Sequence, residues 1–372
     1  MHNFSRAVQT ILIIHLRHMV IHMMKQLITL ALFLAFLFPF PSAVATGRNQ
    51  TDQEELLHLF EAMESVSGVP WYYLAAVNQY EKNIRQNRNQ AKDDKAKSND
   101  RKLLSIQIPQ ERWAGKLNPD PDDNIPESIS FFQGIGRDGN GDRLADRQND
   151  IDVLYSVALY LSENGVEEDQ IRTRLWDYYQ HPVAVDVITH IAKIYQKFDR
   201  LDLEEKKFPI PIQYNYTYHD TWGDRRGWGG LRIHEGTDIF AGYGTPVLST
   251  CYGYVELIGW NRYGGWRIGI RDIHNNYHYF AHLNHFRKGL KKGDIVRPGD
   301  LIGTVGSSGY GPPGTSGKFP PHLHYGIYRF NGENTYSFDP YPQLKKWERE
   351  AYKLKKQKKK KSATFKKHLE MD

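Results

Sequence analysis

The 372-residue sequence predicts an α+β protein, in which an N-terminal helical domain precedes an antiparallel β-sheet domain. Three observations lead there. Apolar residues recur at helical spacing through residues 53–200. At Phe208 the pattern changes to Gly, Tyr, Trp and β-branched residues in short runs separated by turns. At roughly 150 residues per domain, the length suggests two folded units. With 40% hydrophobic residues the chain can bury real cores, which excludes a mainly disordered protein. Apolar runs long enough to span a bilayer occur only near the N-terminus, which excludes a polytopic membrane protein.

The first segment reads as an export signal. Met24-Lys25 gives a short positive start, Leu27 to Phe38 an apolar run, and Ala43-Val44-Ala45 a small-x-small cleavage site. Residues 1–45 are therefore the expected signal peptide, with 1–22 read as a misannotated upstream start. The alternative is a retained membrane anchor. Cys251 is the one cysteine, so no intrachain disulfide and no C-x-x-C zinc site can form. It lies in the strand-like run Val247 to Cys251 and reads as a small buried hydrophobe. Export without disulfides fits a secreted protein of the bacterial envelope.

The helical domain is expected over 46–200. Leu56, Leu57, Phe60 and Met63 share one helical face, as do Leu154, Val157, Ala158 and Leu161. Pro70 introduces a helix from Trp71 to Ile84, and a last helix runs from Pro182 to Phe198. The polar stretch Arg85 to Lys102 reads as an exposed loop, and charged residues 201–207 as a linker. The sheet domain then covers 208–344, and 345–372 forms a basic tail, either amphipathic or disordered.

Net charge is +6, unevenly placed. Residues 1–45 hold three basic residues and no acid, and 345–372 hold twelve basic and four acidic, leaving 46–344 at −5. A mildly acidic body argues against a nucleic-acid partner. The tail is either a solvated end or an electrostatic contact to anionic wall polymers or membrane.

Candidate metal chemistry lies in the sheet domain, which holds seven histidines from His234 to His324. His234-Glu235-Gly236-Thr237-Asp238 places an imidazole and a carboxylate four apart. His322-Leu323-His324 places two imidazoles on one face of a strand, because side chains alternate. Two His nitrogens, one carboxylate oxygen and a water make a common catalytic zinc set. Tyr263-Gly264-Gly265-Trp266 and Ser308 to Thr315 read as loops around such a metal, with Trp266 and Tyr310 either lining a peptide cleft or serving as structural aromatics.

These motifs resemble the M23 family of zinc metallopeptidases, the lysostaphin-type cell-wall endopeptidases. The likeness covers about 208–341 and includes Phe280-Ala281-His282-Leu283, Gly293-Asp294-Ile295-Val296 and Gly303-Thr304-Val305-Gly306 in order. It implies zinc as cofactor, with His234, Asp238 and His324 as ligands and His282 and His322 as catalytic histidines. One of these two would take a proton from the attacking water. The other would hydrogen-bond the developing oxyanion and return a proton to the leaving amine. His274, His278 and His285 match no family position and read as structural or surface residues.

In the helical domain, Val69 to Val77 leading to Glu81 resembles the opening of lysozyme-like lytic transglycosylases, which makes Glu81 a candidate glycan-site residue. Lys82 and Asn83 depart from the hydroxyl residue expected after a catalytic Glu. Asp138, Asn140, Asp142 and Asp146 resemble a calcium loop, with Ca2+ as a second candidate cofactor. Arg143 and Asn149 stand where Gly and a bidentate Glu are expected, and an Asx-rich turn is the alternative. Together the resemblances imply a peptidoglycan partner and cleavage of stem peptides, at the L-Ala–D-Glu bond in maturing spore cortex, near the developing spore. The alternatives are a non-catalytic wall-binding scaffold and a bifunctional peptidase with transglycosylase.

Overall fold

The computed structural model describes residues 48–89, 102–227 and 232–369, so the expected signal peptide lies outside the described residues. The helices are α1 (Arg48–Ser67), α2 (Trp71–Asn89), α3 (Gln110–Ala114), α4 (Pro126–Phe131), α5 (Asp150–Ser162), α6 (Glu168–Tyr179), α7 (Pro182–Phe198) and α8 (Tyr341–Leu369). Between α7 and α8 lie β1 (Tyr216–Thr217), β2 (Arg225–Arg226), β3 (Arg232–Ile233), β4 (Thr237–Ala241), β5 (Pro246–Leu248) and β6 (Gly253–Asn261). They are followed by β7 (Gly265–Arg271), β8 (Asn276–Phe286), β9 (Ile295–Val296), β10 (Leu301–Val305), β11 (His322–Phe330) and β12 (Thr335–Phe338). No helix among the described residues is long and apolar enough to cross a membrane.

The chain divides into two compact units, residues 1–68 with 108–159, and residues 69–107 with 160–372. In the first, Phe60 and Met63 of α1, Trp113 of α3, Ile129 of α4 and Leu154 of α5 are buried. The Trp113 indole donates to the Ala145 carbonyl at 3.2 Å. The residues read as a calcium loop here form consecutive Asx turns. Asp138 accepts from Gly141 N and Arg143 N, Asn140 from Asp142 N, Asp142 from Leu144 N and Asp146 from Gln148 N. Asp152, fully buried on α5, organises them by accepting from the backbone N–H groups of Gly139, Asn140 and Asp146.

In the second unit α7 spans the residues expected of it. Pro182 opens the helix, and the His181 ring accepts from Val183 N at 3.2 Å. The αL conformation of Asp199 closes it, and Val185, Ile188, Ala192 and Tyr195 are buried. Helix α2 continues past the expected end at Ile84 to Asn89. Its polar end has partners that a free loop would lack. Arg85 donates to the Ser105 carbonyl, and Asn87 accepts from Arg329 at 3.0 Å.

The main sheet runs β1-β4-β11-β8-β7-β6-β9, with β10 joining β5 to β8 and β12 on β11, all antiparallel. One face buries Ile239, Val255, Ile268, Phe280, Leu323 and Tyr325. Leu344 and Trp347 from the start of α8 join that core, which anchors the basic tail as a helix rather than a disordered end. From Lys353 to Lys361 the same helix is exposed.

Candidate metal centre and active site

Adjacent strands β4, β11 and β8 build the site. Asp238 on β4 pairs directly with His324 on β11, so their side chains share a face, and period two places His322 beside His324. His234 reaches them from the turn before β4. Gly236 makes the approach possible. A Cβ on it would stand 2.5 Å from His324 Cε1 and 2.7 Å from the Tyr325 carbonyl.

His234 Nε2 and His324 Nδ1 lie 2.8 Å apart, and Asp238 Oδ1 is 3.1 Å from each. These three ligand atoms fall within 4.8 Å of one another. Three lone-pair donors turned to one point, two of them imidazole nitrogens, fit a divalent cation of zinc's preference with an open fourth position. The outer nitrogen of His234 donates to the Thr221 carbonyl at 2.7 Å, which leaves Nε2 as the free lone pair. Burial raises the Asp238 carboxyl, but the surrounding imidazoles of His234, His324 and His322 outweigh it and hold the group well below the usual range.

His282 reaches the cluster through a local irregularity. Ala281 pairs with His324, so a regular strand would turn His282 to the opposite face. Instead His282 adopts φ 61°, and its amide donates to the Gly264 carbonyl at 2.8 Å. A left-handed φ is costly for a residue with a Cβ, and here it turns the ring to 4.8 Å from that of His322. His282 Nδ1 faces the Ser308 carbonyl at 2.8 Å and His322 Nδ1 the Pro320 carbonyl at 2.9 Å. Each therefore donates from Nδ1 and keeps an accepting Nε2. Burial, reinforced by the neighbouring imidazoles of His322 and His324, holds His282 well below its ordinary pKa, and burial lowers His322 likewise.

The structure brings together His234, Asp238, His324, His282 and His322. Tyr310 stacks near His282 at 6.2 Å, whereas Trp266 packs against the core with Trp260 and Phe286. Glu81, on α2, accepts from the Tyr179 hydroxyl at 2.7 Å. Composition and spacing gave no sign of Arg226, whose guanidinium donates to Asp238 Oδ2 at 2.7 Å, or of Thr221, whose hydroxyl accepts from Asp238 N at 3.1 Å. Both precede the His-x-Gly-x-Asp run, in a stretch without recognisable spacing.

A second cluster joins Cys251, Asp272 and His278. Cys251 is buried as expected, but beside polar partners. Lys206 Nζ donates to Asp272 Oδ2 at 2.7 Å, His278 Nε2 lies 3.1 Å from that oxygen, and His278 Nδ1 meets the Tyr325 hydroxyl at 2.7 Å. The lysine ammonium already supplies the cation, so this network balances charge within the core.

A histidine-and-carboxylate group able to hold a metal, flanked by two further histidines on an antiparallel sheet, is the kind of site a metallopeptidase uses. The profile of Peptidase family M23 matches residues 232–340. The L-Ala–D-Glu endopeptidase of Bacillus subtilis is 54% identical over 333 residues, which covers 90% of this chain and all of that protein. Lysostaphin of Staphylococcus staphylolyticus is 35% identical over 117 residues, 30% of this chain and 22% of that one. A solved Ruminococcus gnavus structure named as a glycyl-glycine endopeptidase is 38% identical, with TM-score 0.36, covering 50% of this chain and 74% of its own. The chain belongs to peptidase family M23.

Proposed function

We propose that this protein is a zinc endopeptidase that hydrolyses the L-Ala–D-Glu bond of peptidoglycan stem peptides, secreted to the envelope and acting in spore-cortex maturation. The carrying observation is that His234, Asp238, His324, His282 and His322 converge on one face of a chain similar, over 90% of its length, to a protein named for that bond. His234, Asp238 and His324 would hold the zinc, and zinc bound there would supply Lewis acidity at the scissile carbonyl. His282 and His322 are neutral near pH 7, with Nε2 ready to accept a proton. One takes the proton of the attacking water. The other, protonated in turn by that same proton from the neighbouring ring, hydrogen-bonds the developing oxyanion and delivers the proton to the leaving amine, so both rings end neutral.

Three accessory readings go with this proposal. Asp138, Asn140, Asp142 and Asp146 form a candidate calcium loop, for which a rise in melting temperature on adding Ca2+ is the test. The exposed lysines from Lys353 to Lys361 keep like charges within one or two turns of each other, an arrangement eased by an anionic wall polymer or membrane surface. Glu81 remains a glycan-contact candidate, with its carboxylate held by Tyr179.

The test is digestion of purified vegetative and cortex peptidoglycan by the chain from Thr46 onward, with products read by mass spectrometry. New D-Glu amino termini that vanish with chelator and return with zinc are expected. Intact stems after treatment with folded, zinc-loaded protein overturn the proposal in favour of a wall-binding scaffold.

A further inference from the structure

Beside the metal centre, the two-stranded ribbon β2–β3 places Arg226 directly opposite Arg232. Like charges facing each other across a strand pair destabilise it unless an anion lies between or beside them. Arg226 bonds to Asp238 Oδ2, so its guanidinium stands one carboxylate width from the oxygen turned to the metal. Its Nε–H is out of solvent and has no acceptor among the described residues, an uncompensated buried donor on a cation. Arg232 is the second guanidinium of the ribbon. It donates to the Tyr310 hydroxyl, and its guanidinium carbon lies 5.4 Å from both the Tyr263 and Tyr310 rings. Tyr310 in turn stacks near His282. The two guanidinium groups thus flank the His-rich cluster, one through Asp238 and the other through Tyr310.

The substrate carries an anion suited to this place. A glutamyl residue within a chain spends one of its two carboxyl groups on an amide and keeps the other. When the bond before it is cut, that free carboxylate belongs to the leaving side, close to the scissile nitrogen. Guanidinium is the side chain that binds carboxylate through a planar fork of donors. We propose that Arg226 and Arg232 together form the subsite that takes the free carboxylate of the glutamyl residue, and so set the choice of scissile bond. This rests on the L-Ala–D-Glu reading. It assigns specificity to a ribbon that supplies no metal ligand.

The test compares two synthetic stem peptides containing L-Ala–D-Glu, one with the glutamyl carboxylate free and one with it converted to the carboxamide. For the zinc-loaded full chain, kcat/KM for the acid is expected to exceed that for the amide by roughly 10- to 100-fold, the size of one charge-assisted hydrogen bond. Raising NaCl from low to high concentration is expected to shrink this preference by slowing the acid. In Arg226→Gln and Arg232→Gln the ratio falls towards one. Calorimetric binding of the product peptide that begins at D-Glu loses its preference for acid over amide in parallel. Arg226→Lys, which keeps the charge, retains part of the preference and serves where Gln unfolds the protein. If both peptides slow equally in every variant and the ratio persists, the arginines only hold Asp238 and Tyr310, and the inference is overturned. Equal cleavage of both peptides by the wild type overturns it alone. Cleavage of neither overturns the peptidase reading and this inference with it.

Discussion

Gly236→Ala isolates what close packing contributes to the metal centre. The Cβ built at this position stands 2.5 Å from His324 Cε1, 2.7 Å from the Tyr325 carbonyl oxygen and 2.8 Å from His324 Nε2. All three distances are far inside van der Waals contact, and two of the atoms belong to a proposed ligand. The Tyr325 carbonyl cannot simply move away, because the β11 backbone is paired on both sides, with β4 and with β8. Something in the strand pair must shift, at the cost of overpacking, about 1–3 kcal/mol. For a unit of this size that is a fall of roughly 2–12 °C in melting temperature. Because the displaced ring carries the Nδ1 donor, zinc affinity should drop by about 10- to 100-fold, as when the support of a ligand is removed. Thermal melting of the metal-free protein gives the first quantity, and competition with a chromogenic chelator gives the second. Zinc affinity within twofold of wild type would refute the claim that the glycine exists to admit His324. A stability loss without an affinity loss would refute the link between the packing and the ligand.

Further substitutions separate binding from catalysis. His324→Ala should lose both bound zinc and hydrolysis, measured by metal analysis and peptide cleavage. His282→Ala should keep zinc while its rate falls by about 10²- to 10⁴-fold, the usual share of a proton-transfer group, and a retained rate would sink that role. The buried Lys206–Asp272–His278 network predicts a pH profile for stability. Burial opposes the charge on His278, but Cys251 and the Asp272 carboxylate outweigh it and push the imidazole up to about 9 from 6.5. A raised folded-state value stabilises fully below 6.5 and is lost as pH rises towards 9, so the melting temperature should fall across that window. Asp272 runs the other way. Burial raises its carboxyl, Lys206 and His278 lower it further, and its contribution is present above the ordinary carboxylate range and lost only in strong acid. Asp272→Asn should start less stable and show a flatter profile between 6.5 and 9. A flat wild-type profile there would count against the network.

Much of the candidate site was legible in the sequence because its signals are local. The four-residue interval from His234 to Asp238 and the alternation of His322 with His324 are properties of one turn and one strand. The antiparallel ladder that brings them together follows from the turn-rich pattern after Phe208. Arg226 and Thr221 could not be read the same way, since they act through tertiary approach from a segment with no periodic signature. The extension of α2 to Asn89 was hidden for a related reason. A polar run looks like a loop until Arg85 and Asn87 find acceptor and donor at Ser105 and Arg329, distant in sequence. The helical state of the tail likewise depends on Leu344 and Trp347 entering the sheet's core, which charge density alone conceals.

The electrostatic setting of the site rests on backbone more than on side chains. The outer nitrogens of His234, His282 and His322 face the carbonyls of Thr221, Ser308 and Pro320. A main-chain acceptor cannot be removed by substitution, so the tautomer of each ring is fixed by where its loop runs. Sensitivity to mutation should then concentrate where loop paths are set, and less on polar side chains around the rings. Gly309, at φ 122°, is such a point, since a Cβ there would meet the Tyr263 carbonyl at 2.3 Å. The αL backbone of His282 belongs to the same logic. Its strain, of order 1–3 kcal/mol, is held by the surrounding ladder and turns the proposed catalytic imidazole out of the core and towards the candidate metal centre.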